Sequence, residues 1–100
     1  MTHCLLYLIV APAVEDAVAE WLLESPAVTG FSSTPVAGHG SSEQSMTLAE
    51  QVAGRQRRVM FFTHLGVDEA EALLELLRQD FAGADIHYWT TPVSGFGHLG

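Results

Sequence analysis

Two stretches of this chain are apolar in both of the alternating registers that a β-strand offers, and few folds accommodate that. In residues 3–11, Cys4, Leu6, Leu8 and Val10 fall on one face and Leu5, Tyr7 and Ile9 on the other. In residues 54–65, Val59, Phe61 and Leu65 oppose Met60 and Phe62. Each such strand needs apolar cover on both sides, and the segments around them say how much of it the chain itself supplies. After the first strand, Pro12 suits the first turn of a helix in which Val14, Ala17, Val18, Trp21 and Leu22 recur at helical spacing. Pro26 disfavours helical geometry at Ser25, so this helix ends near Glu24. Residues 30–37 read as a second strand, and Pro35 within it fits an edge or a bulge rather than the centre of a sheet. Beyond the third strand, Asp68 and Glu71 resemble a capping box. Ala70, Leu73, Leu74, Leu77 and Phe81 then form the buried stripe of a second helix, with Gly83 as its stop. Residues 86–93 make a fourth strand. The order predicts an α+β, ferredoxin-like βαββαβ sandwich. It forms a single domain over residues 1–94, followed by a flexible tail at 95–100. Two helices cover one face of such a sheet, and the other face would expose more apolar surface than soluble monomers leave open. The expectation is a homotrimer with its sheets facing inward and Trp89 at or near the interface.

Composition narrows the function classes. Hydrophobic residues make up 48% of the 100 and charged ones 16%, a balance that favours a packed domain over disorder. The longest apolar run, residues 4–14, is broken by Pro12 and is shorter than the roughly 20 residues that span a bilayer. No Lys or Arg precedes Arg55, so the start lacks the basic region of a signal peptide. The expected setting is cytoplasmic, without direct membrane insertion. A single cysteine, Cys4, leaves no internal disulfide to form. The net charge of −8 repels nucleic acid and anionic membrane alike. With no lysine there is no Schiff base and no P-loop cation, and with no asparagine there is no Asn-linked glycan.

The working part is expected in the polar loop 38–52, because its length of about 15 residues is far beyond the 2–5 of an ordinary hairpin. Three of the four arginines, Arg55, Arg57 and Arg58, sit at its root, in an otherwise acidic chain. Arginine holds phosphate or carboxylate bidentately, and equally pairs with surface acids such as Glu43 and Glu50, so both roles stand open. No catalytic set emerges: the serines at 41, 42 and 45 have no base fixed beside them, and Cys4 packs as a small hydrophobe. Gly95, Gly97 and Gly100 spell G-x-G-x-x-G, but no helix follows to present amides to a phosphate. The five histidines show no metal-site spacing. His64 and His87 lie in strands and read as hydrogen-bonded side chains; His39 and His98, in flexible segments, are the metal-ligand candidates.

At the loop's entry, Val36-Ala37-Gly38-His39-Gly40 resembles the V-x-G-F-G that opens the T-loop of the PII-like superfamily of small trimeric signalling proteins. The strand order and lengths match it over nearly the whole chain, most closely in an uncharacterised branch often found beside heavy-metal efflux genes. The resemblance implies a regulator rather than an enzyme. Its T-loop, here with Gly38, His39, Gly40, Ser41, Ser42, Met46 and Leu48, docks onto a membrane transporter or another protein. It also implies an adenine nucleotide between subunits, near Arg55, Arg57 and Arg58. Ser41 and Ser42 replace the Arg and Gln of the PII pattern, residues 81–85 lack its Gly-rich, Lys-bearing phosphate cradle, and the loop has no tyrosine. Two alternatives remain. One is a metal-binding protein linked to heavy-metal resistance, taking a divalent cation through His39, His98 or histidines gathered by symmetry. The other is a small α+β barrel enzyme of the monooxygenase or isomerase kind, with a histidine between helices and sheet.

Overall fold

The structure is a computed structural model, and it describes residues 2–40, 47–53 and 55–100. Strand β1 (His3–Val10) is followed by a 3-10 turn at Pro12–Val14, helix α1 (Glu15–Glu24) and strand β2 (Ser32–Gly38). Then come a short helix α2 (Leu48–Ala53), strand β3 (Gln56–Gly66), helix α3 (Val67–Asp80) and strand β4 (His87–Pro92). The four strands form one antiparallel sheet in the order β2-β3-β1-β4, the ferredoxin-like arrangement. The two doubly apolar strands, β1 and β3, are its centre. β2, which carries Pro35, lies at one edge, where a missing N–H costs no ladder bond.

The period-two pattern decides which side is core. Cys4, Leu6, Leu8 and Val10 of β1 and Val59, Phe61 and Leu65 of β3 are buried against Val18 and Leu22 of α1 and Ala70, Leu73, Leu74 and Leu77 of α3. Thr63, on the same side, satisfies its hydroxyl by donating to the Gly30 carbonyl at 2.6 Å. The helices are tied to each other at their ends, where the Trp21 indole N–H donates to Asp80 at 2.8 Å and the Phe81 ring stands edge-on to it. Both helix ends differ slightly from expectation. The 3-10 turn takes Pro12 itself and the two residues after it, and α1 proper begins at Glu15. The start of α3 is set by Glu69 rather than Glu71, its carboxylate accepting the Gly66 N–H at 2.9 Å. Gly66 is the residue before the helix, and its own N–H is the donor that needs satisfying.

On the opposite face Leu5, Tyr7, Ile9, Met60 and Phe62 are only half-buried, and among the described residues no element covers them. Tyr7 stacks on Trp89 of β4 with ring centroids 4.9 Å apart, and Trp89 is 44% exposed. At the His3 end of this open face, the tail places Phe96 flat on the His3 ring, centroids 3.9 Å apart and planes 15° from parallel.

Candidate functional site

Gly38 ends β2 directly opposite Gln56, the first residue of β3. The 39–55 segment therefore leaves and rejoins the sheet at neighbouring points, and the side chains around those points form the root of the loop. Gly38 is small for a reason: a Cβ there would meet the Arg58 side chain at 3.3 Å. Gly40 has φ of +81°, a left-handed conformation that a side chain disfavours. Both glycines of the T-loop-like entry are thus accounted for by local geometry.

Among the described residues, one carboxylate holds the return arm. Thr47 and Glu50 form a reciprocal cap at the start of α2: the Glu50 N–H donates to the Thr47 hydroxyl at 3.1 Å, and the Thr47 N–H donates to Glu50 Oε1 at 3.0 Å. The other oxygen, Oε2, accepts the N–H of Arg57 at 2.8 Å, and the Arg55 N–H donates to the Glu50 carbonyl at 3.2 Å. Glu50 thereby fastens the loop helix to the first residues of β3. These bonds favour the charged form, and the N–H of Arg57 and then that of Thr47 hold the Glu50 carboxyl below the usual glutamate range. A group whose folded pKa is depressed contributes its stability above the unfolded pKa and loses it as pH falls through the folded one. Amide exchange at Thr47 and Arg57 is expected to be slow at neutral pH and to accelerate, relative to core amides, once the pH drops below the glutamate range. Glu50→Gln should lose the slow state at every pH; pH-independent protection in the wild type would show that the carboxylate does not hold the loop.

The three arginines separate. Arg55 precedes β3, and its exposed side chain makes no ion pair among the described residues. The side chain of Arg57 is 85% exposed, with Nε 4.0 Å from Glu50 Oε2. That of Arg58 is only 12% exposed; it donates to Gln56 Oε1 at 2.8 Å and lies 4.0 Å from Asp85 Oδ2. Asp85, at φ +57°, sits in the connection from α3 to β4, with its other oxygen 3.8 Å from His87 Nε2. Arg58 therefore links the loop root to that connection across the end of β1. Arg57 and Arg58 together border a hollow of about 250 Å³ against Pro12, Glu15, Pro35 and Val36 at the β2 edge. A small anion fits this volume, whose lining also includes the Glu15 carboxylate. A second hollow of about 360 Å³ lies between α3 and β4, lined by Leu74, Leu77, Phe81, Ile86 and Tyr88. Its one cation, Arg78, is already bonded to Glu75 and to the Tyr88 hydroxyl, each at 2.9 Å.

Of the loop residues singled out from sequence, Ser41, Ser42 and Met46 lie outside the described residues, as does Glu43. Leu48 is 78% exposed on α2. His39 follows the loop root, whereas His98 follows Phe96 at the other end of the sheet; the strand between, from Gln56 to His64, is about 26 Å long. The fold does not bring these two together within a chain. Among the described residues no three of His, Cys, Asp and Glu gather as a metal site. Two features escaped the sequence reading: helix α2 inside the loop, whose signal was the T-x-x-E of Thr47 and Glu50, and Asp85 as the partner of Arg58, which no local pattern announces.

The profile of a family described as Protein of unknown function (DUF3240) matches residues 1–100. The chain belongs to this family. A crystal structure of a DUF3240 protein from Shewanella baltica OS155 is similar over 100% of this chain and 99% of that one, with a TM-score of 0.81 at 23% identity. CPII from Thiomonas intermedia K12, a nitrogen regulatory PII-like protein bound to ADP, AMP and bicarbonate, has a TM-score of 0.72 at 16% identity over 99% and 98% of the two chains. CutA from Synechococcus elongatus PCC7942 has a TM-score of 0.69 at 19% identity over 92% and 78%. No curated protein matches this DUF3240 chain. At these identities the likeness establishes a PII-like, ferredoxin-type fold.

Proposed function

We propose that the protein is a PII-like regulator: a homotrimer whose 38–52 loop engages a membrane transporter or another cytoplasmic protein, tuned by a small anionic ligand at the loop's root. The observation that carries this reading is the root itself. One loop leaves and returns at a single point, Glu50 fastens its return arm, and Arg57 and Arg58 stand between that arm, an anion-sized hollow and the α3–β4 connection. A ligand that recruits Arg57 or Arg58 competes with Glu50 or Asp85 for the same guanidinium, so occupancy and loop position are coupled. The PII-like neighbour that binds ADP, AMP and bicarbonate supplies the first compounds to try. The enzyme alternative draws less support. Between α1 and the sheet the space is filled by Leu6, Leu8, Leu22, Phe31 and Phe61, the hollow between α3 and β4 has no histidine in its lining, and the strand histidines His3, His64 and His87 are on the other side or at the rim. Among the described residues no helix is long and apolar enough to cross a membrane, so a membrane partner would be met from outside it.

Thermal melting with bicarbonate, AMP, ADP, ATP and citrate tests the ligand half. An anion present at 100 times its Kd stabilises the folded state by about 2.7 kcal/mol, which moves the midpoint of a chain this size by several degrees. The expected result is such a shift with at least one of these anions, reduced in Arg57→Ala and abolished in the Arg57→Ala/Arg58→Ala double variant. Shifts that survive the double variant would place the ligand elsewhere.

A further inference from the structure

We propose that His3 and His64 form a binding site for an imidazole-seeking divalent cation, Cu²⁺ foremost, on the open face of the sheet. Leu5 is the register partner of His64, so His3, two residues earlier on β1, is the diagonal neighbour of His64 on the same face. Their rings meet across this diagonal, His3 Nε2 lying 3.0 Å from His64 Nδ1, with centroids 5.2 Å apart. Phe96 stacks on His3 and its centroid is 5.0 Å from His64, so a third segment of the chain holds the pair in place at the end of this face, with His64 exposed in the single chain.

Two imidazole nitrogens 3.0 Å apart, each at a metal–nitrogen distance of about 2.0–2.1 Å, subtend about 95° at the ion. That is the angle between adjacent ligands in the tetragonal geometry Cu²⁺ prefers; a linear two-coordinate ion would need them about 4 Å apart, and tetrahedral Zn²⁺ needs them opened by a few tenths of an ångström. At present the two nitrogens share one proton. Binding requires the donor ring to carry that proton on its other nitrogen, so that both facing nitrogens are lone-pair donors; the ring charge is unchanged and the rings turn outward to a common point. Among the described residues no His, Cys, Asp or Glu joins as a third ligand, so water or a second copy of the chain completes the sphere. The site is at the opposite end of the sheet from the loop root, and it stands whether or not an anion binds there.

Titration calorimetry with CuCl₂, in glycine as competing ligand, tests the assignment on the wild type, His3→Ala, His64→Ala and His98→Ala. It is repeated on the wild-type chain carrying a Gly-Ser extension before Met1, because a free amino terminus can chelate copper together with a histidine at position 3. The expected result is one Cu²⁺ per chain, retained by the extended protein and by His98→Ala, and weakened on the order of tenfold or more by His3→Ala and by His64→Ala. Should His64→Ala melt at a much lower temperature than the wild type, His64→Gln, which keeps a hydrogen bond to His3, takes its place. Wild-type affinity in the His64 variant, or loss of binding in the extended protein, would assign the copper to the amino terminus and overturn the proposal. Loss in His98→Ala would move it to the tail.

Discussion

A Phe62→Asp variant is expected to sediment at the 10.8 kDa of one chain, and the wild type at three times that mass. Phe62 stands on the uncovered face beside Tyr7, ring centroids 6.4 Å apart, at the middle of a surface made by Leu5, Tyr7, Ile9, Met60 and Trp89. Burying a large apolar side chain stabilises by roughly 1.5–3 kcal/mol. An unpaired carboxylate brought into the same interface costs several kcal/mol, and a trimer would incur that cost three times. The chain's own core lies on the other side of the sheet, so the variant should keep its helical circular dichroism and a cooperative melt. A wild type that is monomeric at micromolar concentration would remove the trimer; a stable dimer would favour the barrel-type enzyme. Aromatic residues on the central strands of a sheet with this topology also stack nucleic-acid bases in other proteins. Here the net charge is −8 and there is no lysine, so a phosphate backbone is repelled and further copies of the same apolar face are the fitting cover.

That face was legible because strand alternation is local: the residues that sort Leu5, Tyr7 and Ile9 from Cys4, Leu6 and Leu8 lie two apart, and the side chain must follow the pleat. The helix stripes were legible for the same reason, and Pro35 alone pointed β2 to an edge. The parts that were not legible are those set by distant partners. His3 and His64 are 61 positions apart and meet only because β1 and β3 pair in one register. Arg58 finds Asp85 only once the α3–β4 connection has placed an aspartate at positive φ. Helix α2, at six residues, is too short to stand on propensity; it carries the cap motif, but its anchor is the bond that the Arg57 amide, seven residues on, donates to Glu50. The arginines show the limit most plainly. Three neighbours in sequence read as one basic cluster, yet the structure gives Arg57 to the loop clamp, Arg58 to the far connection, and Arg55 to solvent.

Replacing residues 41–46 with a Gly-Ser linker of the same length is expected to leave the assembly and its melting temperature nearly unchanged, and to abolish capture of the partner from a lysate of the native host. The replacement is chosen to spare what the structure shows to be anchored. Thr47 and Glu50 still cap α2, Oε2 of Glu50 still accepts the Arg57 amide, and Gly38 and Gly40 keep the turn that starts the loop. Since the segment's length is constant, the length-dependent closure entropy of the loop does not change, and the added glycines cost only a modest amount of extra chain entropy. Binding is different. A polar loop offers few apolar atoms with which to anchor on a partner, and Met46 and the 78% exposed Leu48 are the two large ones. Removing Met46 with its serine neighbours leaves Leu48 alone, and interfaces depend on a few such anchors for most of their affinity. Leu48→Ala in the otherwise intact chain should accordingly weaken capture without abolishing it. If the linker protein unfolds, the segment is structural; if it captures the partner as the wild type does, the regulatory surface lies elsewhere on the molecule and the loop loses its assigned role.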